Sequence, residues 1–92
     1  MKNNIGIVTT WFERGAAYVS RQYMDIIKKK ENVFIYVRGG ENYAKDSQSW
    51  NLPNVTWGKK ITMPKSVTNY IDPDDFKKWI DQNKIDLVFF NE

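Results

Sequence analysis

Along the 92 residues of the chain, short unbroken apolar runs alternate with stretches in which apolar residues recur every three or four positions, a pattern that predicts strands interleaved with helices. Ile5, Gly6, Ile7 and Val8, followed by Thr9 and Thr10, form the first run, as apolar and β-branched as a strand buried on both faces of a parallel sheet. From Ala16 to about Lys29, the residues Ala16, Val19, Tyr23, Ile26 and Ile27 fall at helical spacing while Arg21, Gln22, Asp25 and Lys28 point elsewhere. That spacing predicts a helix whose buried face is the apolar set. Val33 to Val37 make a second strand bounded by Arg38-Gly39-Gly40, and a strand-helix-strand unit this tight implies a parallel pair joined by a right-handed crossover.

Residues 41 to 54 lose all periodicity and read as a loop rich in Asn, Asp, Ser, Gln and Lys, of a length uncommon in compact domains unless functional or disordered. Val55-Thr56-Trp57 reads as a short third strand, and Lys59 to Tyr70 carries mixed signals. Asp72 suits the N-cap of a second helix, Pro73 its first position and Asp75 its N3 site. Phe76, Trp79 and Ile80 supply the buried stripe of that helix through Asn83. Ile85 to Phe90 is a fourth strand with a nearly continuous apolar core, followed by Asn91-Glu92. A strand of that kind needs helices over it and a neighbour beside it. The expectation is that another molecule covers that edge, or that the chain is the front portion of a longer protein.

At 41% hydrophobic and 15% aromatic residues, the composition is that of one folded domain. The net charge of +3 from 14 basic and 11 acidic residues is spread along the chain rather than gathered on a phosphate-reading face. Lys28-Lys29-Lys30 falls where the first helix should end, and cations there favour the negative end of the helix dipole. No nucleic-acid partner is expected. The chain has neither cysteine nor histidine, which removes disulfides, thiolates and imidazole from its chemistry. Catalysis would have to use carboxylates, amines, hydroxyls or the backbone. No signal-peptide layout and no apolar stretch of roughly 18 residues is present, so the chain is expected in the cytoplasm.

Four places carry candidate chemistry. Gly15 sits between the first strand and the first helix, where free N–H groups and the helix dipole can hold an anion such as phosphate, with Arg14 adding a charge-assisted contact. The bland reading is a glycine required for the turn alone. Trp11 and Phe12, just before it, form either a stacking wall for a sugar or base or simple packing of the loop on the sheet. Arg38, Gly39, Gly40 and Glu41 follow the second strand on the same edge, where α/β ligands bind, or make a plain turn. Asn91 and Glu92 end the fourth strand on that edge, facing a cleft or fraying. Asp72-Pro73-Asp74 imitates a D-x-D metal motif, but aspartates that open a helix around a proline are capping residues, so no metal is expected and no cofactor either.

Taken together, "IGIVTTWFERGAAYVSRQY", "VFIYVRGGE" and "DPDDFKKWIDQNKIDLVFFNE" resemble the beginning of a bacterial glycosyltransferase of the GT-B type, in the large retaining family 4. The resemblance covers nearly the whole chain in order, least well between residues 42 and 70. It implies a Rossmann-like three-layer α/β fold with a short parallel sheet of about four strands in the order 3-2-1-4. The chain would be an incomplete, mainly acceptor-side portion of the enzyme's N-terminal domain, inactive alone. The parent would be a retaining hexosyl-type enzyme at the inner membrane face that moves a sugar from a nucleotide-sugar donor to a saccharide or lipid-linked acceptor. In relatives, paired glycines after the first strand approach donor or acceptor; Gly15 matches one of them and Ala16 replaces the other. Many relatives carry a histidine near the end of the strand matching residues 85 to 90, where this chain has Asn91 and Glu92. The resemblance implies a substrate cleft lined by Trp11, Phe12, Arg14, Gly15, Ala16, Arg38, Asn91 and Glu92. A rival reading is a free-standing α/β binding or dimerisation module that uses its exposed sheet edge to dimerise or to join a partner.

Overall fold

A computed structural model describes residues 2–9, 11, 15–37, 46–58 and 73–91, with Ala16 described by its backbone alone. These residues form strand β1 (Asn4–Thr9), helix α1 (Gly15–Ile27), strands β2 (Asn32–Val37) and β3 (Val55–Trp57), helix α2 (Pro73–Asn83) and strand β4 (Leu87–Asn91). The four strands make one parallel sheet in the order β3-β2-β1-β4. The small α/β fold expected from the sequence is therefore present, with the first strand in the middle and a helix over each face.

Alternation along β1 divides the core in two. Ile7 faces the α1 side with Trp11, Ala17, Met24, Val33, Ile35, Val37 and Trp50. Val8 faces the other side with Tyr36 and Trp79, and Phe34, Phe76, Ile80, Ile85 and Val88 pack against them. Two-sided burial is what a central parallel strand requires, which is why β1 has no polar residue between Ile5 and Val8. Gly6 has a steric reason: a Cβ there would lie 2.5 Å from Cη2 of Trp79. The missing side chain is the space that the α2 indole fills.

Helix α2 carries its expected first-position proline and apolar stripe, while the expected N-cap, Asp72, lies outside the described residues. Proline occupies its first position, and Trp79 is buried between the partly buried Phe76 and Ile80. Its end is a Schellman turn, in which the Ile85 N–H donates to the Ile80 carbonyl at 3.0 Å and the Lys84 N–H to the Asp81 carbonyl at 3.4 Å. Lys84 takes the left-handed conformation that such a turn needs, with φ 51°. The Asn4 side chain clamps this corner to the sheet, its Nδ2 donating to the carbonyls of Asn83 and Lys84, each at 3.0 Å.

Helix α1 corrects the expectation. It starts at Gly15 and ends at Ile27, and its buried residues are Ala17, Ser20 and Met24, with Ile27 packed against them. Of the expected face, Val19, Tyr23 and Ile26 are exposed, Ile26 at 66%. The helix carries two apolar stripes, and the one with small residues at its upper turns lies on the sheet. Ala17 and Ser20 let the helix axis come close, and hydrogen bonds satisfy the serine hydroxyl there. Strand β4 is likewise not buried on both faces: among the described residues it lies at the edge of the sheet, with Leu87, Phe89 and Phe90 exposed. Lys28-Lys29-Lys30 follow α1 as expected, and Lys28 forms an exposed 3.2 Å ion pair with Asp25.

Candidate functional site: the crevice at the carboxyl ends of β1 and β4

Connections leave the sheet in opposite senses around β1. The path through α1 leads from β1 to β2 on one side, whereas α2 brings the chain back to β4 on the other. Parallel α/β sheets open a crevice at the carboxyl ends of the two strands where the order reverses, here β1 and β4. Thr9 and Asn91 are paired across that point.

A buried polar chain links these strand ends to α1. Asn91 Nδ2 donates to Ser20 Oγ at 2.7 Å, and Ser20 Oγ donates to Thr9 Oγ1 at 2.7 Å. Thr9 and Ser20 are fully buried, while Asn91 is half-buried at the mouth. The chain fixes the orientation of the Asn91 amide, a group able to donate to and accept from a hydroxyl-rich ligand.

Gly15 is the first residue of α1 and is exposed. Its φ lies outside the left-handed region, and a Cβ built on it would meet nothing within 4 Å. Neither backbone conformation nor packing among the described residues requires glycine there. The first turn of α1 has no acidic side chain, whereas α2 carries Asp74 and Asp75 in its own. Acidic residues near a helix N-terminus answer the dipole internally, so α1, unlike α2, keeps its first-turn N–H groups free of a carboxylate from its own turn. An incoming anion can use them.

Trp11 corrects one of the two readings given for it. It is only 1% exposed, packs edge-on against Trp50 with ring centroids 5.2 Å apart, and donates through Nε1 to the Trp50 carbonyl at 2.6 Å. The ring is a core element and presents no stacking face to a ligand. Arg21 covers the pair, its guanidinium carbon 4.8 Å from the Trp50 ring centre, and Nη1 donates to the Ser49 carbonyl at 2.6 Å. Trp50 itself sits in the segment read from sequence as an aperiodic loop. Of the remaining candidates, Ala16 is placed in the first turn of α1 by its backbone, and Phe12, Arg14, Arg38 and Glu92 lie outside the described residues. Among the expected site residues, the structure thus brings the Gly15 helix end and Asn91 to the carboxyl edge and withdraws Trp11 into the core.

A scan of protein-family models, a search of curated proteins and a search of solved structures return no match to this chain.

Chemically, the crevice offers hydrogen bonding through one amide, oriented from below by two buried hydroxyls, and through the peptide N–H groups of a helix end. Asp75, in the first turn of α2, accepts a hydrogen bond at Oδ2 from the Tyr36 hydroxyl at 2.6 Å. Among the described residues, no group of three or more acidic side chains is placed to hold a metal ion. No described helix is long and apolar enough to cross a membrane.

Proposed function

We propose that the chain is the acceptor-side portion of a GT-B glycosyltransferase. Its part in the reaction is to hold polar ligand groups at the carboxyl ends of β1 and β4. The supporting observation is the exposed Gly15 that opens α1 with no packing need among the described residues, on the helix whose second turn orients the Asn91 amide. An exposed glycine with no steric or conformational need is what backbone approach by a ligand calls for. In sugar transfer the leaving diphosphate must be neutralised and the acceptor held against the sugar. The helix end suits an anionic group, and the Asn91 amide suits sugar hydroxyls. A cytoplasmic place at the inner membrane face, where lipid-linked acceptors are met, belongs to this reading. The donor-holding half is a separate requirement, so the chain alone binds and does not turn over.

Ligand-detected NMR against a panel of nucleotide sugars and free sugars tests the reading. Shifts at the Gly15 and Asn91 amides, lost in Gly15→Val with the fold intact by circular dichroism, are the expected result. A silent panel, or shifts at residues remote from the crevice, overturns it.

A further inference from the structure

We infer that two copies of the chain associate through β4, pairing the strand antiparallel with itself to give one continuous eight-stranded sheet. Unlike the transferase reading, the inference concerns the lateral edge of the sheet and does not rest on it.

Strand β4 pairs with β1 on one side and, among the described residues, with no strand on the other. Natural edge strands are defended by charges, prolines, bulges or covering elements. Leu87, Val88, Phe89, Phe90 and Asn91 include no charged residue, proline or glycine. Asn91 faces α1 through its bond to Ser20, so by alternation Leu87 and Phe89 share that face. Phe90 faces α2, its ring centroid 6.1 Å from that of Phe76.

The exposed stripe of α1 borders the same edge. Tyr23 and Ile27 line a groove of about 480 Å³ with Val88, Phe89, Phe90 and Asn91, and Val19 and Ile26 continue the stripe through Tyr23 at helical spacing. Apolar surface thus runs from helix to strand without a covering element among the described residues.

The occupant follows from area and symmetry. Taking about 200 Å² for an aromatic side chain and about 100 Å² for an aliphatic one, the exposed parts of Val19, Tyr23, Ile26, Leu87, Phe89 and Phe90 amount to roughly 450 Å² per copy. Two copies give roughly 900 Å², and at the roughly 65% apolar content of homodimer interfaces the whole contact reaches about 1,400 Å², inside the standard range. A twofold axis through Phe89 pairs all five residues: Phe89 with Phe89, Val88 with Phe90, Leu87 with Asn91. Phe89 then meets Phe89 and Val88 meets Phe90 at the centre, with Leu87 opposite Asn91 at either end, and both α1 stripes lie on the same face of the seam. The surface is complementary to itself, as an isologous interface must be.

Sedimentation equilibrium over a wide concentration range tests the inference. The unmodified chain is expected to be a reversible dimer. Phe89→Asp should weaken it about 100-fold, as expected for a central hot spot. Ile26→Lys, at a position exposed in the single chain and therefore harmless to folding, should weaken it about tenfold. The register has its own readout because the chain contains no cysteine. Phe89→Cys should cross-link to itself on mild oxidation. Leu87→Cys should not, since the two copies of that residue would lie about 13 Å apart, beyond the roughly 7 Å limit of a disulfide. A chain that stays monomeric at every concentration overturns the inference. A dimer indifferent to both charged variants overturns it too. Sugar binding, read at the crevice on the same samples, stands or falls separately.

Discussion

Asn91 Nδ2 and Ser20 Oγ meet at 2.7 Å, joining the end of β4 to the second turn of α1 across 71 positions of sequence. Because the same hydroxyl donates to Thr9, Ser20 holds an edge strand, the central strand and a helix at one atom. Ser20→Ala removes both bonds inside the core and should cost about 1–3 kcal/mol. Urea unfolding of the wild type and variant measures this; a change below about 0.5 kcal/mol would deny the network a structural role.

Two of the three buried tryptophans, Trp11 and Trp79, should respond differently to loss of the indole N–H. Trp11 Nε1 is bonded to the Trp50 carbonyl, whereas Trp79 Nε1 is buried without a hydrogen-bond partner among the described residues. Trp11→Phe is expected to cost about 1–3 kcal/mol more than the change in ring size alone. Trp79→Phe removes an N–H that is already unsatisfied, so its loss should be the smaller of the two in the same unfolding assay.

Glycines 6 and 15 separate packing from access. Gly6→Ala drives a methyl into the Trp79 ring and should destabilise by about 1–3 kcal/mol. Gly15→Ala meets open space in a helical residue and should be neutral or stabilising by up to about 1 kcal/mol. Thermal melts of the pair are expected to move in opposite directions or to leave only the second unmoved.

Lys84 offers a gain. Its side chain is exposed, and its φ of 51° is a conformation that costs an L-residue roughly 1 kcal/mol and glycine nothing. Its role in the corner is played by backbone atoms, so Lys84→Gly should raise stability by about 0.5–1 kcal/mol. A lower melting temperature would show that the lysine side chain contributes more than its backbone strain costs.

The Tyr36 hydroxyl bond to Asp75 joins β2 to the first turn of α2 beneath the Phe76 and Trp79 rings. Tyr36→Phe should cost about 1.5–3 kcal/mol, the range for a hydrogen bond to a charged group. Asp75→Asn keeps an acceptor and should cost less, a ranking that chemical denaturation of the two variants checks directly.

Strands and the second helix were legible because their signals were redundant. In α2, a proline at the first position, acidic residues in the first turn and an apolar stripe agreed. In β1, the run of branched residues could only be a two-sided strand. The buried face of α1 was not legible, because periodicity marks an apolar stripe without saying what it touches. Val19, Tyr23 and Ile26 outweigh Ala17, Ser20 and Met24 in apolar content, yet the sheet accepted the set with smaller side chains and a serine that Thr9 and Asn91 could satisfy. Trp50 escaped for a different reason, since a single anchor in an aperiodic segment leaves no rhythm to detect. At the candidate site, Gly15 and Asn91 could be placed at the carboxyl edge by topology alone. The burial of Trp11 depended on its partner Trp50, 39 positions away, a contact to which local sequence is blind.

The position of β1 also bears on how fast the molecule can form. Asn4 is joined to Asp86 by its backbone N–H and carbonyl, 82 residues along the chain, so the central strand completes its pairing only after a loop of nearly the whole described chain has closed. The chain entropy of that closure precedes its reward. Folding in milliseconds to seconds, rather than microseconds, is the expected regime for such long-range strand pairing, and until β4 docks, the flank of β1 is itself an unpaired edge open to the wrong neighbour.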